Sequence, residues 1–149
     1  MKTVACGLLL MLLAVSPSYA LPVDTIGHIH SMKGTAFVHR GSVTLPATVG
    51  TALNRGDLIR TGKPGAVGIV LTDDTTISLG PNSELALSDY TFDPTVGKFS
   101  LVVRMVKGTF AYISGLIGKL APDTVHLAIP DAVIALRGTK LLVDVQDPG

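Results

Sequence analysis

The side chains best spaced for chemistry in this sequence are three histidines. His28 and His30, two apart on a strand, would project from one face as two imidazole ligands require, and His39 lies within reach of a following hairpin. No third ligand is indicated, so the pair reads as surface residues and no metal is expected. Asp73 and Asp74 lack the alternating carboxylates of a calcium loop and read as a turn. Glu84 is the sole glutamate, which excludes a paired-glutamate glycosidase. There is no Gly-x-Ser-x-Gly elbow for a serine nucleophile, and Gly62-Lys63-Pro64-Gly65 has neither the spacing nor the following helix of a phosphate loop. The residues therefore assign no catalytic group, no metal ligand and no cofactor site, and a non-enzymatic protein is expected.

Charge and composition narrow the partners. Twelve basic residues stand against 11 acidic ones in 149, which lacks the basic excess that nucleic-acid binders use to displace counterions. With 47% apolar residues the chain can bury enough surface to fold. Lys2, the apolar run Val4 to Val15 and the small residues of Ser18-Tyr19-Ala20 together read as a secretory signal peptide, residues 1–20, cleaved after Ala20. The run is too short to span a bilayer as a helix, and no later stretch is long enough, so no transmembrane span is expected after cleavage. The mature part, residues 21–149, keeps 11 basic and 11 acidic side chains and loses Cys6, leaving neither a disulfide nor a thiolate site. Leu21, not cysteine, follows the cut, which argues against a lipid anchor.

The elements that must position these residues are strands. Val67, Ile69 and Leu71, then Ile77 and Leu79, then Leu85 and Leu87 alternate by two. Turn chemistry interrupts them at Gly62 to Gly65, Asp73-Asp74, Gly80 to Ser83 and Asp93 to Thr95. Ile69, Ile77 and Leu85 stand eight apart, as do Val125, Val133 and Leu141, which predicts one all-β domain, a compact sandwich or β-roll of short strands. Phe99 to Met105 and Phe110 to Tyr112 predict two strands hairpinned at the Lys107-Gly108 break. Gly115 to Leu120, with two glycines, predicts a bend or a single helical turn, and no long helix is expected.

Four blocks stand together in order: Gly56 to Gly62; Ile77 to Leu85, containing Gly80 and Asn82; Val106 to Phe110, containing Gly108; and Ile129-Pro130 with Arg137-Gly138-Thr139. Their order and spacing resemble the FecR domain, over roughly Gly34 to Val145. The resemblance implies an extracytoplasmic all-β module, the founding type being a periplasmic regulator that relays receptor occupancy to a sigma factor in iron uptake. Such regulators carry a cytoplasmic segment and a transmembrane helix ahead of the domain, where this sequence offers a cleavable signal, so sigma-factor control is not carried over. Asp73-Asp74-Thr75 also departs from the family's usual Asp-Gly-Thr, with an aspartate where left-handed φ is wanted.

The motif residues read as mostly structural. Asp57 would cap neighbouring amides, and Arg137 would face solvent or pair with a carboxylate, Asp57 or Glu84, where Gly138 lets backbone pass closely, the alternative being an anion or peptide-carboxylate contact. The leading expectation is an exported protein-binding or assembly module of the bacterial envelope, in the periplasm or outside the cell, whose exposed β-edges contact another envelope protein or a second copy of itself. The other is a signal-reception component. Small-ligand or glycan binding is disfavoured by the few aromatic residues and the absence of tryptophan.

Overall fold

The computed structural model describes residues 16, 25–135 and 139–146. Among the described residues ten strands form a single connected sheet: β1 (Thr25–Arg40), β2 (Val43–Pro46), β3 (Ala52–Asn54), β4 (Leu58–Leu71), β5 (Thr76–Leu79), β6 (Glu84–Asp93), β7 (Lys98–Ile113), β8 (Val125–Ile129), β9 (Ala132–Ala135) and β10 (Lys140–Val145). A single helical turn, α1 (Leu116–Leu120), and a 3-10 turn at Pro122–Thr124 link β7 to β8. The all-β fold is as the alternation indicates.

Three long strands, β1, β4 and β7, carry the architecture, and the short ones lie end to end in the lanes between and beside them. β5 and β6 share the lane between β4 and β7, both antiparallel to each neighbour. On the far side of β7, β8 runs parallel to its first half and β10 antiparallel to its second. β9 pairs with β8, and β2 and β3 pair with β1 at the opposite end.

The three long strands, of 16, 14 and 16 residues, are a departure from the short strands implied by an eight-residue pitch. The reason is that two of the sequence breaks bend a strand without reversing it. Gly62 to Gly65 lies inside β4, opposite the register shift between Gly34 and Ala36 of β1. Lys107-Gly108 lies inside β7, so the expected hairpin is absent; Gly108, at φ 102°, turns the strand instead.

These irregularities form a line across the sheet, a crease that also passes through the β5–β6 loop. On either side, inward side chains line up strand by strand. Ile29, Ile69, Ile77, Tyr112 and Leu141 make one cross-strand row. Leu45, Val38, Ile59, Leu85 and Met105 make another. All but Leu45 and Leu141 are fully buried, and both rows belong to one core cluster. Cross-strand neighbours of this kind are the unit of sheet stabilisation.

Candidate functional site

The motif residues fall in three separate places. At the entry to β4, Gly56 adopts φ 86° and its amide donates to the Leu87 carbonyl (2.7 Å), while the Leu87 amide donates to the Asp57 carbonyl (2.9 Å). Asp57 is 1% exposed. Its carboxylate accepts the Asn54 amide (2.8 Å), the expected local cap. It is also gripped by Arg40 of β1, whose Nε donates to Oδ1 at 2.9 Å and Nη2 to Oδ2 at 2.8 Å, with Nη2 donating again to the Ala52 carbonyl at 3.0 Å. Hydrogen bonding to Asp57 raises the already high Arg40 pKa. Glu84, the other carboxylate suggested for Arg137, pairs with Arg60 at 3.2 Å. Arg137 and Gly138 lie outside the described residues.

The second place is the crease, where Gly80, Asn82 and Gly108 surround Ser83 and Thr61. Thr61 Oγ1 donates to the Gly80 carbonyl (2.7 Å) and accepts the buried Ser83 amide (2.8 Å). The Thr61 amide returns a bond to the Ser83 carbonyl (2.9 Å), and the Thr109 amide donates to Ser83 Oγ (3.2 Å). Asn82, at φ 50°, donates its amide to the Gly62 carbonyl (3.2 Å). A Cβ at position 108 would land on Ser83, so the close approach requires glycine. The broken ladders are thus re-satisfied by two hydroxyls that the sequence did not single out.

The third comprises Pro130, in the two-residue turn between β8 and β9, and Thr139, whose carbonyl accepts the Ser114 amide at 2.8 Å ahead of the β7–β10 ladder.

Asp73 proves more than a turn residue. It is fully buried, and its oxygens accept from the Thr75 amide (3.2 Å), Thr75 Oγ1 (2.7 Å), Tyr90 Oη (3.2 Å) and the Ile117 amide (3.1 Å). It anchors α1 to the β4–β5 turn, in which Asp74 takes φ 69°. Burial, above all, pushes the Tyr90 phenol well above its ordinary range. His28 and His30 are exposed with ring centroids 6.4 Å apart, and His39 Nδ1 contacts Thr44 Oγ1 at 3.1 Å. Among the described residues no group of three or more His, Cys, Asp or Glu side chains converges as a metal site.

The β10 strand presents an open edge. Among the described strands β10 pairs with β7 alone. Its side chains alternate, with Leu141, Val143 and Val145 packed on the core and Lys140, Leu142 and Asp144 outward. Leu142 is 72% exposed, the most of any large apolar residue described. It walls an open depression of about 490 Å³ on the outer face, floored by Ser78 and Ala111 and flanked by Thr109 and Asp144. Of β10 the sequence spacing marks only Leu141; that no described strand pairs with its far side follows from topology.

The described residues thus make an all-β sheet whose buried carboxylates are committed to structure. The family model described as FecR protein matches residues 57–149, and the chain belongs to the FecR family. FecR domains occur in periplasmic signal-reception regulators, and the family is a regulatory and signalling one, not a known enzyme family. No curated protein and no solved structure matches the chain. No described helix is long and apolar enough to cross a membrane.

Proposed function

We propose that this protein is an exported FecR-type binding module of the bacterial envelope, acting without catalysis by pairing an exposed sheet edge with a protein partner. The observation that carries the reading is β10: six residues, unpaired on one side among the described strands, with Leu142 outward and 72% exposed. Main-chain pairing at such an edge supplies affinity, and the outward side chains supply selectivity. Export rests on residues 1–20, read as a signal peptide cleaved before Leu21. The periplasm is the location that family membership favours.

A photo-crosslinking amino acid at Leu142, introduced in native cells, tests the edge. A covalent protein adduct that is absent when the group is placed at the exposed, remote Val96 supports the reading; adducts from both positions or from neither overturn it. Mass spectrometry of the periplasmic fraction tests export. A chain beginning at Leu21 is expected, and a chain retaining residues 1–20 in the cytoplasm would sink that part.

Family membership favours a second reading, in which the partner is a receptor or a membrane-bound regulator and binding alters transcription. Deleting the gene should then change transcripts under iron limitation or envelope stress. An unchanged transcriptome under both conditions leaves the assembly reading alone.

A further inference from the structure

The edges of this sheet differ in how they are closed. β3 is three residues long, β9 four, and β2 four with Pro46 at its end, all short enough or blunted enough to resist pairing. β10 has six residues and contains neither proline nor glycine.

The direction of its backbone groups can be fixed. In an antiparallel ladder, residues whose N–H and C=O face the neighbour alternate with residues whose groups face away. The Ser114 amide bonds the Thr139 carbonyl, and the register then continues with Leu141 opposite Tyr112 and Val143 opposite Phe110. Odd-numbered residues of β10 therefore bond β7, and Lys140, Leu142 and Asp144 present their main-chain groups to the open side. The same three residues carry the outward side chains.

We propose that β10 pairs with β10 of a second copy of this chain, antiparallel and centred on Leu142. The inference rests on the edge-binding reading above and names its occupant. Charge complementarity selects the register. Centred on Leu142, Lys140 of each copy lies opposite Asp144 of the other, and Leu142 meets Leu142. Displacing the strands by two residues opposes Leu142 to a charge; displacing them by four opposes Lys140 to Lys140 or Asp144 to Asp144. One-residue slips align outward main-chain groups with inward ones and lose the bonds. The centred arrangement makes three hydrogen-bonded pairs, about six main-chain bonds, and continues the sheet through a two-fold axis. Asp144 Oδ2 also accepts from Gln146 Nε2 of its own chain at 2.9 Å, which holds the carboxylate on the strand's outer side. Leu142 of one copy then covers Leu142 of the other beside the open depression.

Sedimentation equilibrium on the purified mature chain, residues 21–149, from roughly 1 μM to 1 mM, tests the pairing in the range where small interfaces associate. The wild type should show a dimer. Lys140→Asp and Asp144→Lys each place two like-charge pairs across the interface and should weaken association about tenfold. The double variant Lys140→Asp/Asp144→Lys restores opposite charges and should return to within about threefold of wild type. Leu142→Pro removes an outward amide without touching the β7 ladder and should give a monomer with unchanged circular dichroism. If that variant unfolds, the charge swap decides alone. A wild type monomeric throughout, or single reversals that the swap does not rescue, overturns the proposal. The crosslink at Leu142 separates the two levels: adducts of twice the chain mass support self-pairing, adducts with other proteins alone overturn it and leave the edge-binding reading standing, and no adduct overturns both.

Discussion

Asp57 and Asp73 are both buried at the ends of β4, yet they are held by opposite means. Asp57 has a guanidinium from a strand 17 positions earlier, with the Arg40 side chain still 35% exposed. Among the described residues Asp73 has only neutral donors: two amides and two hydroxyls. The first is an ion pair at a rim, where water shares the stabilisation; the second is a network in which every bond depends on the others. Asp73, which keeps the aspartate of the family's usual Asp-Gly-Thr, is the more deeply engaged of the two, with four donors from three separate elements closing over it.

Breaking the comparison on the Asp73 side should give the largest effect. Asp73→Ala strips four buried donors of their acceptor and should cost about 3–4 kcal/mol in urea unfolding. On the other side, Arg40→Met leaves the Asp57 carboxylate buried with one amide and should cost about 2–3 kcal/mol, below the fully buried limit because the pair is partly solvated. Asp57→Asn should cost less, about 1–2 kcal/mol, since Arg40 can turn to water. The double variant Arg40→Met/Asp57→Asn should be less destabilised than the sum, a non-additivity that Asp73 combined with Arg40→Met should not show.

Tyr90 sharpens the contrast through pH. Its phenol is held neutral by burial in the fold, so its folded pKa lies above the unfolded value of about 10. The associated stability is intact below pH ~10 and is lost as pH rises from there towards the folded value, because the unfolded chain releases the proton first. Tyr90→Phe should cost about 1–2 kcal/mol at neutral pH by removing a donor to Asp73 and the acceptor for its amide. It should also flatten the alkaline part of the stability profile, measured by unfolding between pH 8 and about 11. The smallest effect belongs to Leu142→Pro, within about 0.5 kcal/mol on stability, because the site is exposed and its amide faces away from β7.

How much of this was legible depended on the range of the interaction. Alternation in Val67 to Leu71 and Ile77 to Leu79 is a local signal, and it gave the strands and their buried faces. The cap formed by Asp57 and the left-handed backbone at Asp74 are local as well, and both follow from residue chemistry. Gly62 to Gly65 and Lys107-Gly108 carry turn chemistry too, but whether a chain reverses or bends there is settled by neighbouring strands continuing past it, which no short window contains. Arg40, Thr61 and Ser83 escaped notice for the same reason: their partners lie 17 to 26 positions away. The turn at Asp73-Asp74 is as its residues indicate, but the burial of Asp73 is not legible there, because Tyr90 and Ile117, which close over it, lie 17 and 44 positions away.

The crosslink between Arg40 and Asp57 also bears on where the folding unit begins. The family match opens at residue 57, whereas β1 ends at Arg40 and runs along nearly the whole of β4. A fragment cut to the family boundary would keep the carboxylate and discard its cation. It would also lose Ile29 and Val38 from the two core rows and leave β4 as a long, bare edge. Such a fragment should aggregate, while one beginning at Thr25 should fold: evolutionary bookkeeping and mechanical integrity divide this chain at different residues.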